Sequence, residues 1–187
     1  MEDTIQIPDV PDLSGVQDVE TARFEDGWYG GTILAKREFT DRNGNDRVFE
    51  STDAPSQNGD SRNIQLQVEL TRQSDKRTYN ARAMVNYRPE DLSAETVQQV
   101  MAQREKAKDE GWGSLFRPFM TLMRLGKLQR IAGVRQLQRN GNGGLDLTPT
   151  YGKSAYFRLG PDDRNPEYKA IVDFSDAAPK GVKAKLL

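Results

Sequence analysis

The residues best able to do chemistry in this 187-residue chain are its cations. Positions 111–158 hold eight basic side chains, Arg117, Arg124, Lys127, Arg130, Arg135, Arg139, Lys153 and Arg158, against Asp146 alone. Flat side chains stand among them, at Trp112, Tyr151 and Tyr156. A single-stranded nucleic acid needs cations along its phosphates and aromatic platforms for its bases, each stacked base being worth about 1–3 kcal/mol. Tyr156 and Arg158 alternate onto one outward sheet face, so one is placed to stack while the other meets a phosphate. Arg82 and Arg88, on an earlier strand, extend the track. These residues have plainer uses too. Trp112, Phe116 and Phe119 suit a core, a basic helix face suits solvent, and Tyr156 suits a cross-strand pair. The indication is the clustering of charge, and no single residue carries it.

Other chemistry is largely excluded. The chain has no cysteine and no histidine. Disulfides, thiolate metal sites, imidazole ligands and His-dependent nucleophiles are therefore absent. A carboxylate-based nuclease needs acids converging on metal, and the acids here fall mostly near the N-terminus and in turns. The Asp/Asn-rich stretch from Asp41 to Asp46 superficially resembles a calcium loop, but its twelfth position is Thr52 where an acid is required. The Asn140-Gly141-Asn142-Gly143-Gly144 run follows a helix and precedes a strand, the reverse of a phosphate-binding loop. No enzyme activity, metal or cofactor is expected.

The net charge of −1 conceals a segregation. Residues 1–75 carry 7 basic and 16 acidic side chains, and residues 76–187 carry 20 basic and 12 acidic ones. Such a division creates local fields that the total hides, unless the acidic front half docks on the basic back half. No apolar run approaches the roughly 20 residues that span a bilayer. The acidic Met1-Glu2-Asp3-Thr4 start is unlike a signal peptide. A cytoplasmic protein without a membrane partner is expected.

The elements that must position these residues are mainly strands. A first strand is expected over 28–40, an Asn43-Gly44 hairpin turn next, a return at about 46–51, and a polar loop over 52–61. Ile64, Leu66, Val68 and Leu70 alternate with polar residues, the period of a half-buried strand. A turn at 74–76 leads to a strand over 77–88 with Tyr79, Ala81, Ala83, Val85 and Tyr87 inward. Ser93 caps a helix reaching about Asp109, with Leu92 and Val97 as a hydrophobic staple. A second helix is expected from Pro118 to about Arg139. Phe119, Leu122, Gly126, Gly133 and Leu137 form its packed face, and Arg117, Arg124, Arg135 and Arg139 lie opposite. Closing strands follow at 154–160 and 167–175, the latter with Tyr168, Ala170, Val172 and Phe174 on one face and a turn at 161–166 before it. The expected fold is mainly β with an α insertion: a small antiparallel Greek-key (OB-like) barrel over 23–176 with a two-helix insertion at about 93–139. An acidic extended arm, 1–22, and a basic C-terminal tail, 177–187, flank it.

Three features carry a resemblance in layout over roughly 24–176. They are the Phe24-Glu25-Asp26-Gly27-Trp28-Tyr29 opening with Ile33 in its strand, the alternating strand pair ending at Tyr87-Arg88, and a helical segment followed by closing strands at Tyr151–Leu159 and Tyr168–Phe174. The arrangement resembles the bacteriophage single-stranded-DNA-binding-like family of replication and recombination modules. The tail departs from it. Many single-strand binders end in an acidic recruiting tail, whereas Lys180, Lys183 and Lys185 make this one basic. The resemblance implies a non-enzymatic, sequence-tolerant binder of single-stranded DNA or RNA in phage or mobile-element replication or recombination, acting in the host cytoplasm. Its expected binding set is Arg82, Arg88, Arg117, Arg124, Lys127, Arg130, Arg135, Arg139, Tyr151, Lys153, Tyr156 and Arg158. The alternative is a structural or adaptor protein of a virion or assembly. Its arm and tail would then bind other subunits or a second copy of the chain.

Overall fold

The computed structural model describes residues 24–41, 43–162, 166 and 168–179. The expected arm over 1–22, most of the tail over 177–187 and part of the 161–166 turn lie outside these residues. In chain order the strands are β1 (Gly27–Leu34), β2 (Lys36–Thr40), β3 (Asp46–Glu50), β4 (Thr52–Pro55), β5 (Arg62–Thr71), β6 (Thr78–Tyr87), β7 (Ser154–Pro161) and β8 (Lys169–Ser175). Between β6 and β7 come helices α1 (Ala94–Gln103), α2 (Ala107–Glu110) and α3 (Phe116–Ala132).

The long alternating strands build the barrel. β5 and β6 pair antiparallel from Arg62↔Tyr87 to Thr71↔Thr78. β6 meets β8 in parallel at Ala83↔Ile171, β8 pairs antiparallel with β7, and β7 with β1. β1 then returns antiparallel to β5, Gly30 to Thr71 through Leu34 to Gln67, and the sheet closes. The result is a closed five-stranded β-barrel with helices between its third and fourth strands, consistent with an OB-like barrel. Closure leaves these strands no free edge. Period-two burial fills the lumen: Tyr29, Ile33, Ile64, Leu66, Val68, Leu70, Val85, Tyr87, Phe157 and Leu159 are all but inaccessible. Leu125, Leu128 and Ile131 of α3 join this core, as do Leu137, Leu145 and Leu147 from the loop beyond. Gly31 sits at the tightest crossing. A Cβ there would lie 2.9 Å from the Glu69 carbonyl and 3.0 Å from Phe157.

Several sequence expectations are corrected. The first strand is broken at Ala35, where the chain leaves the barrel and forms the separate β2–β3 hairpin. The loop expected over 52–61 opens with β4, which pairs with the first residues of β5. Ser93 does cap α1, accepting from the Thr96 amide at 3.1 Å. However, α1 stops at Gln103, because the polar run that follows has no apolar stripe to bury. α3 ends at Ala132, not near Arg139. Gly133 adopts φ 72°, and the Val134 amide reaches back to the Gln129 carbonyl, a left-handed cap that stops the helix. Its buried face is Pro118, Thr121, Leu125, Leu128, Ile131 and Ala132. The expected glycine face is not packed: a Cβ at Gly126 would meet only the Arg130 guanidinium, at 3.6 Å. In β8 a register shift opposite Arg158 and Leu159 breaks the alternation. Ile171 and Phe174 therefore point in, and Tyr168 is 67% exposed.

Candidate nucleic-acid interface

The outward residues of β6 run along the floor of a groove. Its first wall is the β2–β3 hairpin, which the Asp41–Asn45 turn closes: the Asp41 carboxylate accepts from the Asn43 and Asn45 amides. Antiparallel register places Arg37 opposite Phe49 and Phe39 opposite Arg47, so one hairpin face alternates cation and aromatic ring. Phe39 and Phe49 are exposed, with centroids 5.2 Å apart. The Arg37 guanidinium lies over both rings, 5.2 and 5.3 Å from their centroids. The base of the hairpin is pinned by Ser51. Its hydroxyl donates to the Leu34 carbonyl at 2.6 Å and accepts from the Gln67 amide at 2.8 Å. Gln67 occupies an outward register position and is nonetheless buried under this hairpin.

Three cavities follow one another from the hairpin to α3. The first, about 210 Å³, lies between Arg37 and Phe49 on the hairpin and Asn80, Arg82 and Lys169 on the barrel. The second, about 360 Å³, shares Arg82 and Lys169 and adds Met84, Ala170, Val172 and Arg124 of α3. The third, about 300 Å³, shares Arg124 and adds Asn86, Phe116, Arg117 and Met120. Shared lining residues make this one continuous path, with Arg37, Arg82, Lys169, Arg124 and Arg117 along it. Asp162 is the one carboxylate lining it among the described residues. Phe49, Met84 and Phe116 are exposed along the same path. A larger cavity of about 600 Å³ lies elsewhere, between α1, α3 and the 136–145 loop. Its one cation is Arg139.

The twelve residues expected from sequence are divided by the fold. Arg82, Arg117 and Arg124 line the path. Arg88, at the end of β6, is exposed and 3.5 Å from Glu90. Tyr156 and Arg158 stand on the outward side of β7, where β8 separates them from β6; Arg158 is opposite Trp28 and Asp173. Lys153 is exposed in the turn before β7. Lys127 and Arg130 of α3 hold Asp173 at 2.7 Å and Asp176 at 3.0 Å. Arg135 and Arg139 lie in the loop after α3, where Arg139 donates to the Gly143 carbonyl. Tyr151 is half-buried and its hydroxyl donates to the Ser51 carbonyl at 3.1 Å, so its ring packs on the core. Burial raises its phenol above the ordinary range. Among the described residues, the carboxylates paired with these cations are Glu90, Asp91, Asp173 and Asp176, all in the back half of the chain. Among the described residues, no carboxylate of the front half pairs with them.

The sequence reading passed over Arg37, Phe39, Phe49, Met84, Phe116 as a wall residue, and Lys169. Two short period-two runs, Arg37-x-Phe39 and Arg47-x-Phe49 across an Asn-Gly turn, were the available sign. Among the described residues no group of acids is arranged to hold a metal ion, and no helix is long and apolar enough to cross a membrane. No family model, curated protein or solved structure matches the chain.

Proposed function

We propose that this protein is a non-enzymatic, sequence-tolerant binder of single-stranded nucleic acid, working in phage or mobile-element replication or recombination. The observation that carries the reading is the row of cavities over β6, lined by Arg37, Arg82, Lys169, Arg124 and Arg117, with an exposed ring at each end, Phe49 and Phe116. Its lining suits a strand whose phosphates meet Arg82, Lys169 and Arg124 while bases stack on Phe49 and Phe116. The barrel agrees with this. In an OB-fold, a Greek-key barrel, oligonucleotides lie over the second and third strands beside the loop between the first two. Here those strands are β5 and β6, and the loop carries the β2–β3 hairpin. Among the described residues, Arg82 and Arg124 have no ion-pair partner, so their charge is available to a ligand.

Fluorescence anisotropy of a labelled single strand, titrated at two salt concentrations, tests this. Binding is expected to weaken steeply with salt. Reversing Arg82 and Arg124 to Glu is expected to lower affinity at least tenfold further than reversing Arg135 and Arg139. Salt-insensitive or absent binding, together with a defined oligomer by light scattering, would favour the assembly role instead.

A further inference from the structure

We infer that the small cavity between the β2–β3 hairpin and β6 is a receptor for a phosphate monoester, the phosphorylated end of the bound strand. The inference rests on the single-strand reading and deepens it by naming what the hairpin end of the groove recognises. Three cations line this cavity, Arg37, Arg82 and Lys169, and no carboxylate does so among the described residues. Lys169 is already matched by Asp26, which leaves two positive charges without a partner. The Nε of Arg37 is buried and has no hydrogen-bond acceptor. Phe39 and Phe49 hold the Arg37 guanidinium in place at the cavity wall.

The charge of a matching ligand follows from these lining cations. A phosphodiester brings one negative charge and two free oxygens, so it leaves half of this charge unmatched. A phosphate monoester brings about −1.5 to −2 at neutral pH and three acceptor oxygens. It satisfies Arg37 and Arg82 together and leaves an oxygen for Lys169. The Asn80 side chain on the same wall adds a neutral amide donor. At about 210 Å³ the cavity has room for a phosphate and part of its sugar. The next cavity along the groove, through Arg82 and Lys169, then takes the adjoining nucleotide.

The test compares oligothymidylates of about ten nucleotides bearing a 5′-phosphate, a 3′-phosphate or hydroxyls at both ends. It also follows the Arg37 Nε–H resonance while thymidine monophosphate or thymidine is added. One phosphorylated strand is expected to bind about tenfold more tightly than the hydroxyl-ended one, and the end concerned gives the polarity of the strand. Arg37→Ala is expected to bring that ratio to about one. Arg37→Lys restores only part of it, because an ammonium lacks the planar fork. The monophosphate shifts the Arg37 resonance and thymidine does not. A ratio near one in the unmodified protein, or a ratio that survives Arg37→Ala, overturns the inference while leaving the groove reading intact. Failure of every strand to bind, with the Arg37 resonance still moved by the monophosphate, sinks the groove reading and keeps the phosphate site. The comparisons on the unmodified protein decide the matter even if the variants do not fold.

Discussion

Asp53 shows how much one side chain organises. Its fully buried carboxylate accepts from Arg62 Nε at 2.9 Å, from the Tyr87 hydroxyl at 2.6 Å and from the Leu145 amide at 2.6 Å. It thereby ties β4, β5 and β6 to the loop after α3. Asp53→Ala leaves the largely buried Arg62 without a counter-charge, and such a loss costs up to about 3 kcal/mol. The urea midpoint is expected to fall accordingly. Tyr87 gives a second prediction at this scale. Burial, and then its hydrogen bond to Asp53, hold the phenol well above its ordinary range. The folded chain keeps this proton at pH values where an unfolded tyrosine has lost it. The stability it contributes is thus present below about pH 10 and is lost as pH rises from there toward the raised folded value. Tyr29 and Tyr151 are raised in the same direction, chiefly by burial. Stability measured against pH should therefore fall above about pH 10. Tyr87→Phe should flatten part of that alkaline limb while losing about 1 kcal/mol at neutral pH.

Among the elements, the β2–β3 hairpin is the one the barrel does not need. Its strands are largely exposed and pair only with each other among the described residues. Its two ends are already joined at the base, where the Ser51 amide donates to the Ala35 carbonyl at 2.8 Å. Replacing residues 36–50 by a short Gly-rich turn should leave a folded barrel with native-like circular dichroism. The same deletion removes Arg37, Phe39 and Phe49, so anisotropy should report at least a tenfold loss of single-strand affinity. A deletion that binds as well as the intact protein would place the ligand elsewhere. α3 has the opposite character. Its Leu125, Leu128 and Ile131 belong to the core, and its Arg124 and Arg117 belong to the groove.

At the scale of the molecule, the near-zero net charge is no guide to the field a ligand meets. Five cations line one groove, two of them, Arg117 and Lys169, also holding carboxylates, while Lys127 and Arg130 hold Asp173 and Asp176. For single strands the slope of log affinity against log salt is about −0.7 per phosphate neutralised. If the groove engages four or five phosphates, a slope of about −3 is expected. A double reversal of Arg82 and Arg124 should reduce its magnitude by about 1.4, whereas reversal of Arg135 and Arg139 should leave it nearly unchanged. An unaltered slope in the first variant would show that the groove is not the contact surface.

The sequence by itself determined the long strands β5, β6 and β7 and their inward faces. Wherever period two ran unbroken, as in β5, β6 and β7, burial followed it, because an alternating strand has one face to hide. It also determined the cap at Ser93 and the hairpin turn at Asn43-Gly44, since local backbone chemistry decides both. It excluded His- and Cys-based chemistry outright. Tertiary structure alone decided the rest. The end of α3 at Gly133 and the skipped register in β8 turned expected faces away, because a glycine cap and an irregular ladder leave no period to read. Linear clustering of charge did not show which cations share a groove, for a related reason. Neighbours along the chain are not neighbours on a closed barrel. Closure carried Tyr156 and Arg158 to β7, and it brought Arg37, Arg82, Arg124 and Lys169, spread over more than a hundred residues of sequence, into one groove.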